Sequence, residues 1–149
     1  MVFGGALGLA QTGSAGKSKI EFKNSGELSA PAGYSHVAIV SSGKMLFIPG
    51  QVGLDKQGQM VGKGDFHAQT AQAFANLRSV LAAAGASTND IVKLNYYVVG
   101  LNHEKLLAVR DVRDQFIDMG HPPASTLAGV QELFREDALI EIEAVAVIP

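Results

Sequence analysis

Cysteine is absent from this sequence. Disulfides, thiolate metal sites and a cysteine nucleophile are therefore excluded, while the redox compartment stays open, because a chain without thiols tolerates either. Charge of one sign is lacking too. The 12 Lys and Arg against 14 Asp and Glu leave a net charge of −2, which provides no basic field for nucleic acid or an anionic membrane. Long apolar runs are missing: the opening MVFGGALGLAQTGSAGKSK is too short to span a bilayer and has no positive region before it, as a signal peptide requires. Within it, GSAGKS lacks the first glycine of a phosphate loop, since position 11 is Gln, and neither a strand nor a helix flanks it. A flexible leader over residues 1–17 and a single domain over 18–149 are expected, with cytoplasm as the compartment.

Chemistry-bearing spacings are equally sparse. His36, His67, His103 and His121 fall on different elements without metal-ligand spacing, and there is no nucleophile elbow or His-Glu-x-x-His sequence. The glycines between Gly50 and Gly64 are accounted for by turns. Arg110 and Arg113, interleaved with Asp111 and Asp114, read as a solvated helix face.

What the chain does carry is alternating strand and helix patterning with short breaks and no repeat. KIEFK alternates as a strand, and Val37–Val40 with Met45–Ile48 read as a hairpin turning at Ser42–Gly43. A short strand is expected near Met60–Val61. Asp65 is placed to cap a helix reaching about Ala84, with Phe66, Ala73, Phe74, Leu77, Val80, Leu81 and Ala84 as its apolar stripe and Gly85 as its stop. Asp90–Gly100 is rich in strand formers. Asn102 is placed to cap a second helix whose stripe is Leu106, Val109, Val112 and Phe116, with Gly120 at its end. TLAGVQEL and the closing LIEIEAVAVIP are the last strands.

The order β-β-β-α-β-α-β-β predicts an α+β fold with a five- to six-stranded sheet. Its two helices can cover only one sheet face. Tyr97, Val99, Val130, Val145 and Val147 are expected on the other, a bare apolar surface suited to subunit contact. In the closing strand the two-residue period sends Ile140, Ile142, Ala144 and Ala146 one way, and Glu141, Glu143, Val145 and Val147 the other. Carboxylates aimed at a low-dielectric interface are costly unless paired. They stand either for a site tuned to acid–base work or for a salt bridge or an exposed edge.

Taken in order, GYSHVAIVSSGKMLFIPGQVGLD, GDFHAQTAQAFANLRSVLAAAGAS, IVKLNYYVV, PPAST and IEIEAVAV resemble the Rid (reactive intermediate deaminase, YjgF) family, from about Ser18 to Ile148. The resemblance implies a chorismate-mutase-like α+β fold, mixed sheet and two helices on one face. It also implies a homotrimer whose inter-subunit clefts bind small carboxylates and hydrolyse enamines or imines without metal or organic cofactor. Carried over by position, Glu141 matches the water-handling glutamate, Tyr34 the cleft tyrosine, and Gly50 the glycine after the strand, with Pro49 where the family has serine. Ser125 stands where the deaminase subgroup carries its substrate-clamping arginine, followed by Thr126, and Arg110 falls where the family's second helix carries an asparagine. A deaminase acting on 2-iminopropanoate- or 2-iminobutanoate-type substrates is the leading expectation. A non-catalytic carboxylate-binding trimer and a pathway-specific, aminomuconate-type deaminase are the alternatives. The ribonuclease role attached to relatives is disfavoured by the net charge of −2 and the lack of a basic, aromatic-studded face.

Overall fold

The computed structural model describes residues 19–149. The leader expected over residues 1–17 lies outside the described residues. Strands β1 (Lys19–Lys23), β2 (Val37–Ser42) and β3 (Lys44–Gln51) lead into helix α1 (Phe66–Ala83). Strand β4 (Ile91–Val99), helix α2 (His103–Phe116), strand β5 (Ala124–Val130) and strand β6 (Ile140–Ile148) complete the order. This is the expected α+β succession.

The sheet is smaller than expected. Four strands form one mixed sheet in the order β3-β6-β4-β5, while β1 and β2 form a separate antiparallel pair. β6 runs antiparallel to both β3 and β4, and β4 runs parallel to β5, with α2 as the crossover a parallel pair requires. The predicted hairpin between β2 and β3 does not form. β3 instead pairs with β6, where Ile48 is buried, whereas β2 pairs with β1 and leaves Val37, Ile39 and Val40 exposed. The strand predicted near Met60 is reduced to one isolated bridge between Leu54 and Met60.

Local chemistry sets the helix ends. The Asp65 carboxylate accepts from the Ala68 amide at 3.0 Å, relieving one of the orphan donors of the first turn of α1. At the other end Gly85 takes φ 72°, its amide donating to Ala82 O at 3.0 Å and that of Ala86 to Leu81 O at 2.9 Å. This is a Schellman closure that favours glycine. Asn102 caps α2 in the same way, accepting from the Lys105 amide at 2.9 Å. The second helix ends sooner than predicted: Ile117 is already extended at φ −107°, ψ 159°, and Gly120 belongs to the following turn, its amide donating to Asp118.

Both helices pack on one face of the sheet, and the parity expected of β6 holds there. Ile140, Ile142, Ala144 and Ala146 are buried with Leu94, Tyr96 and Val98 of β4 beneath Phe74, Leu77 and Leu81 of α1. On the other face Val147 departs from expectation, being buried within the protomer at 0 % exposure. Met45 and Phe47 are exposed there, Phe47 at 75 %.

Two buried amides on α1 fix the parts of the sheet that matter later. Gln69, fully buried, accepts from the Leu139 amide at 2.8 Å and donates to Asp137 O at 2.9 Å, which pins the entry to β6. Asn76 donates to Val52 O and Leu54 O at 2.9 and 2.8 Å, holding the loop that leaves β3. Gln69→Leu keeps the volume but strips Leu139 of its acceptor, so a loss of about 2 kcal/mol is expected in denaturant unfolding. Amide exchange at Leu139 should accelerate beyond what that global loss accounts for.

Candidate functional site

β6 is an inner strand of the sheet, so its helix-averted side chains meet neighbours from both flanking strands. Register sets Glu141 opposite Tyr97 and Glu143 opposite Asn95 on β4. Asn95 Nδ2 donates to Glu143 Oε1 at 2.6 Å, and the Tyr97 hydroxyl donates to the same oxygen at 2.9 Å. This bond, ahead of burial, raises the Tyr97 phenol above its ordinary range, because ionising it would place a second negative charge on the carboxylate. Glu143 is thus held as a structural acceptor.

Glu141 is held differently. Among the described residues its carboxylate has no hydrogen-bond donor or counter-ion, and it lies directly against the α-carbon of Gly50, where a β-carbon would overlap it. Burial, and then the charge of Glu143, raise its pKa above the ordinary value. A half-buried carboxyl without donors and with a like charge beside it is suited to taking up a proton and handing it on. Gly50 has ordinary φ, so the glycine is required by the close approach of this carboxyl rather than by backbone conformation. Glu141 and Gly50 are therefore brought together.

Tyr34, Arg110 and Ser125 are also brought together, but elsewhere. They line a cavity of about 290 Å³ beneath α2 at the β5 edge, with Tyr96, Arg113 and Leu127. The loop carrying Tyr34 is stitched to that edge by the Ser35 amide, which donates to Pro123 O at 3.1 Å, and by the Ser35 hydroxyl, which donates to Pro122 O at 2.6 Å. Ser125 and Leu127 pair with Leu94 and Tyr96, so they share the helix-facing side. Thr126 also borders the cavity, although its hydroxyl accepts from Lys93 Nζ at 2.9 Å. Within one protomer the Glu141–Gly50 pair and this cavity lie on opposite faces of the sheet.

Sequence reasoning missed Arg113. Expected on a solvated face, it is only 7 % exposed. Its Nε and Nη2 donate to Asp114 Oδ1 at 2.8 and 2.6 Å, and Nη1 reaches Ala32 O at 3.4 Å. The guanidinium passes so close to Gly33, which takes φ 78°, that a side chain there would collide with it. The signal was present as spacing: Leu106, Val109, Arg110 and Arg113 recur at three and four residues, so the arginines continue the apolar stripe toward the sheet. Among the described residues no cluster of three His, Asp or Glu side chains is placed to hold a metal ion, and no helix is long and apolar enough to cross a membrane.

The α+β mixed sheet with two helices on one face is the YjgF-like architecture. Residues 25–148 match the family described as Endoribonuclease L-PSP. The 2-iminobutanoate/2-iminopropanoate deaminase of Dermatophagoides farinae is 33 % identical over 109 residues, 73 % of this chain and 82 % of that protein. The crystal structure of YyfB from Yersinia pestis, a Rid-family protein of unknown function, superposes with a TM-score of 0.80 at 37 % identity, covering 87 % of this chain and 98 % of that one. Escherichia coli TdcF with bound serine superposes at 0.62 with 27 % identity, covering 80 % and 91 %. The chain belongs to the Rid (L-PSP) family.

The environment of Glu141 has a measurable signature. Because its folded pKa is raised, the carboxylate contributes unfavourably once ionised, and this part of the stability is lost as pH rises from the ordinary glutamate value through the folded one. Gly50→Ala pushes the carboxyl off its seat toward water. The expected result in a carbon-13 titration of the Glu141 carboxyl is a midpoint that moves down toward the ordinary value.

Proposed function

We propose that the chain is a cytoplasmic hydrolase of small amino-acid-derived imines of the 2-iminopropanoate and 2-iminobutanoate type, releasing the 2-keto acid and ammonia. The observation that carries this reading is the half-buried Glu141 carboxyl seated on Gly50 with its pKa raised. A general base in such a position needs no metal to work on water. Glu141 takes a proton from water as its oxygen bonds to the imine carbon and the C=N π pair moves to nitrogen. The proton passes to that nitrogen to give the carbinolamine. Glu141 then takes the carbinolamine hydroxyl proton and delivers it to the amine, so that C=O forms as the C–N bond breaks and ammonia leaves. The deaminase name of the mite relative supports the substrate class.

The two halves of the site on opposite sheet faces favour an assembly in which Glu141 and Gly50 of one protomer close over the Tyr34, Ser125 and Thr126 cavity of the next. Exposed Met45 and Phe47, beside half-buried Val145, give the open face the apolar character of a subunit contact, and a homotrimer is the proposed form. The carboxylates on this face offer nothing to a phosphate backbone, so an RNA-cleaving role is not favoured. A second reading, a carboxylate-binding trimer without turnover, is favoured by one observation: Ser125 puts no guanidinium on β5.

The two readings separate in one experiment. 2-Iminobutanoate is generated in situ by an amino-acid oxidase, and keto-acid release is compared with and without the protein. Glu141→Gln is expected to lower kcat by about 100-fold or more, in the range of a lost general base, while stabilisation by 2-oxobutanoate in a thermal melt persists. A wild-type rate no better than buffer, with that stabilisation retained, replaces the hydrolase with the binding reading.

A further inference from the structure

Two polar groups that line the cavity beneath α2 are left incompletely paired by the fold. Tyr96 is 2 % exposed, and among the described residues its hydroxyl has no hydrogen-bond partner. Leaving a buried hydroxyl unmatched is costly, and native interiors rarely tolerate it without a ligand or water that completes it. Arg113 is the second. A guanidinium has five N–H donors, and Asp114 and Ala32 engage three of them, one at the long distance of 3.4 Å. Its one counter-ion among the described residues, Asp114, is itself 46 % exposed. Arg110 lines the same cavity and has no ion pair among the described residues, so the side chains bordering this partly open space leave it net positive.

These features specify a ligand. Two arginines and a phenol donor ask for an anion with several acceptor oxygens in one plane, and a carboxylate presents them in the geometry a guanidinium matches. Burial pushes the Tyr96 phenol above its usual range, so it stays protonated and donates at any working pH. The volume of about 290 Å³ admits a small acid and excludes a polymer. Ser125, on the strand beneath, is small enough to leave that space open.

We propose that Arg113 and Tyr96 anchor the carboxylate of a small 2-keto or 2-imino acid in this cavity, so that the anchoring cation comes from α2 rather than from β5. The choice of acid rests on the imine-hydrolase reading, but the anchoring itself does not require turnover. Gly33 belongs to the same device, since its missing side chain gives the Arg113 guanidinium its place.

The test uses the full-length protein with 2-oxobutanoate as probe, titrated calorimetrically. Arg113→Met is expected to weaken binding by about 30-fold or more, and Arg113→Lys by about 10-fold, because lysine keeps the charge without the fork. Tyr96→Phe is expected to weaken binding by about 5-fold while raising the melting temperature of the ligand-free protein, since it removes an unmatched buried hydroxyl. A purely structural role for Tyr96 does not produce those opposite signs. Unchanged affinity in a folded Arg113→Met protein overturns the proposal. If that variant does not fold, unchanged affinity in both Arg113→Lys and Tyr96→Phe overturns it equally, as does a wild type that does not bind 2-oxobutanoate. Wild-type binding that depends on Arg113 without imine hydrolysis retires the hydrolase reading and leaves the anchor standing. Hydrolysis with KM unmoved in Arg113→Lys and Tyr96→Phe does the reverse.

Discussion

The two-sidedness of β6 governs this molecule. Lying between β3 and β4, the strand is one of the two inner strands of the four-stranded sheet, and its alternation sends one set of side chains beneath the helices and the other to the open face. Ile140, Ile142, Ala144 and Ala146 close the core under the helices, so a one-residue slip of β6 would expose them. Glu141 and Glu143 are then forced onto the opposite face. Their difference arises from neighbours: Asn95 and Tyr97 saturate Glu143, whereas Glu141 meets the bare backbone of Gly50.

Register along the sheet would be of little use if the strand ends were free to drift. The buried amides of α1 prevent that. Gln69 grips the chain just before β6 and Asn76 grips it just after β3, so one helix fixes both sides of the Glu141–Gly50 contact. This gives physical content to the family-like patterns that carry those two residues. Side-chain amides can donate and accept at once, and a buried backbone break needs both. A leucine at either place would fill the volume and leave backbone groups stranded.

The sequence made most of this visible where a single element could be read alone. Helix caps at Asp65 and Asn102, the stop at Gly85 and the parity of β6 all follow from chemistry within a few residues, and all appear in the structure. What was not legible depended on partners far along the chain. The pairing of β2 with β1 instead of β3 is decided by which strand can bury Ile48 against the helices, not by the turn at Gly43. The burial of Arg113 is another such case. Its charge argued for solvent, while its place on the apolar stripe of α2 argued for the interior, and only the tertiary position of the helix decides between them. Tyr96 was hidden for a related reason, because a tyrosine in a run of strand formers gives no hint that its hydroxyl will lack a partner.

That pairing of an unmatched phenol with an incompletely engaged guanidinium changes the meaning of Ser125. Considered alone, a serine where the family resemblance leads one to expect a clamping arginine would be a loss. In the structure Ser125 borders the cavity that Arg113 enters from above, and a long cation on β5 would compete with it for both space and charge. Arg110 and Arg113 already border this space of about 290 Å³, and a third guanidinium from β5 would add to their repulsion, since Asp114 is the counter-ion that the described residues supply. A small residue on the strand and an arginine on the helix are thus mutually consistent. The same carboxylate can be met from either layer, provided that only one layer supplies the cation.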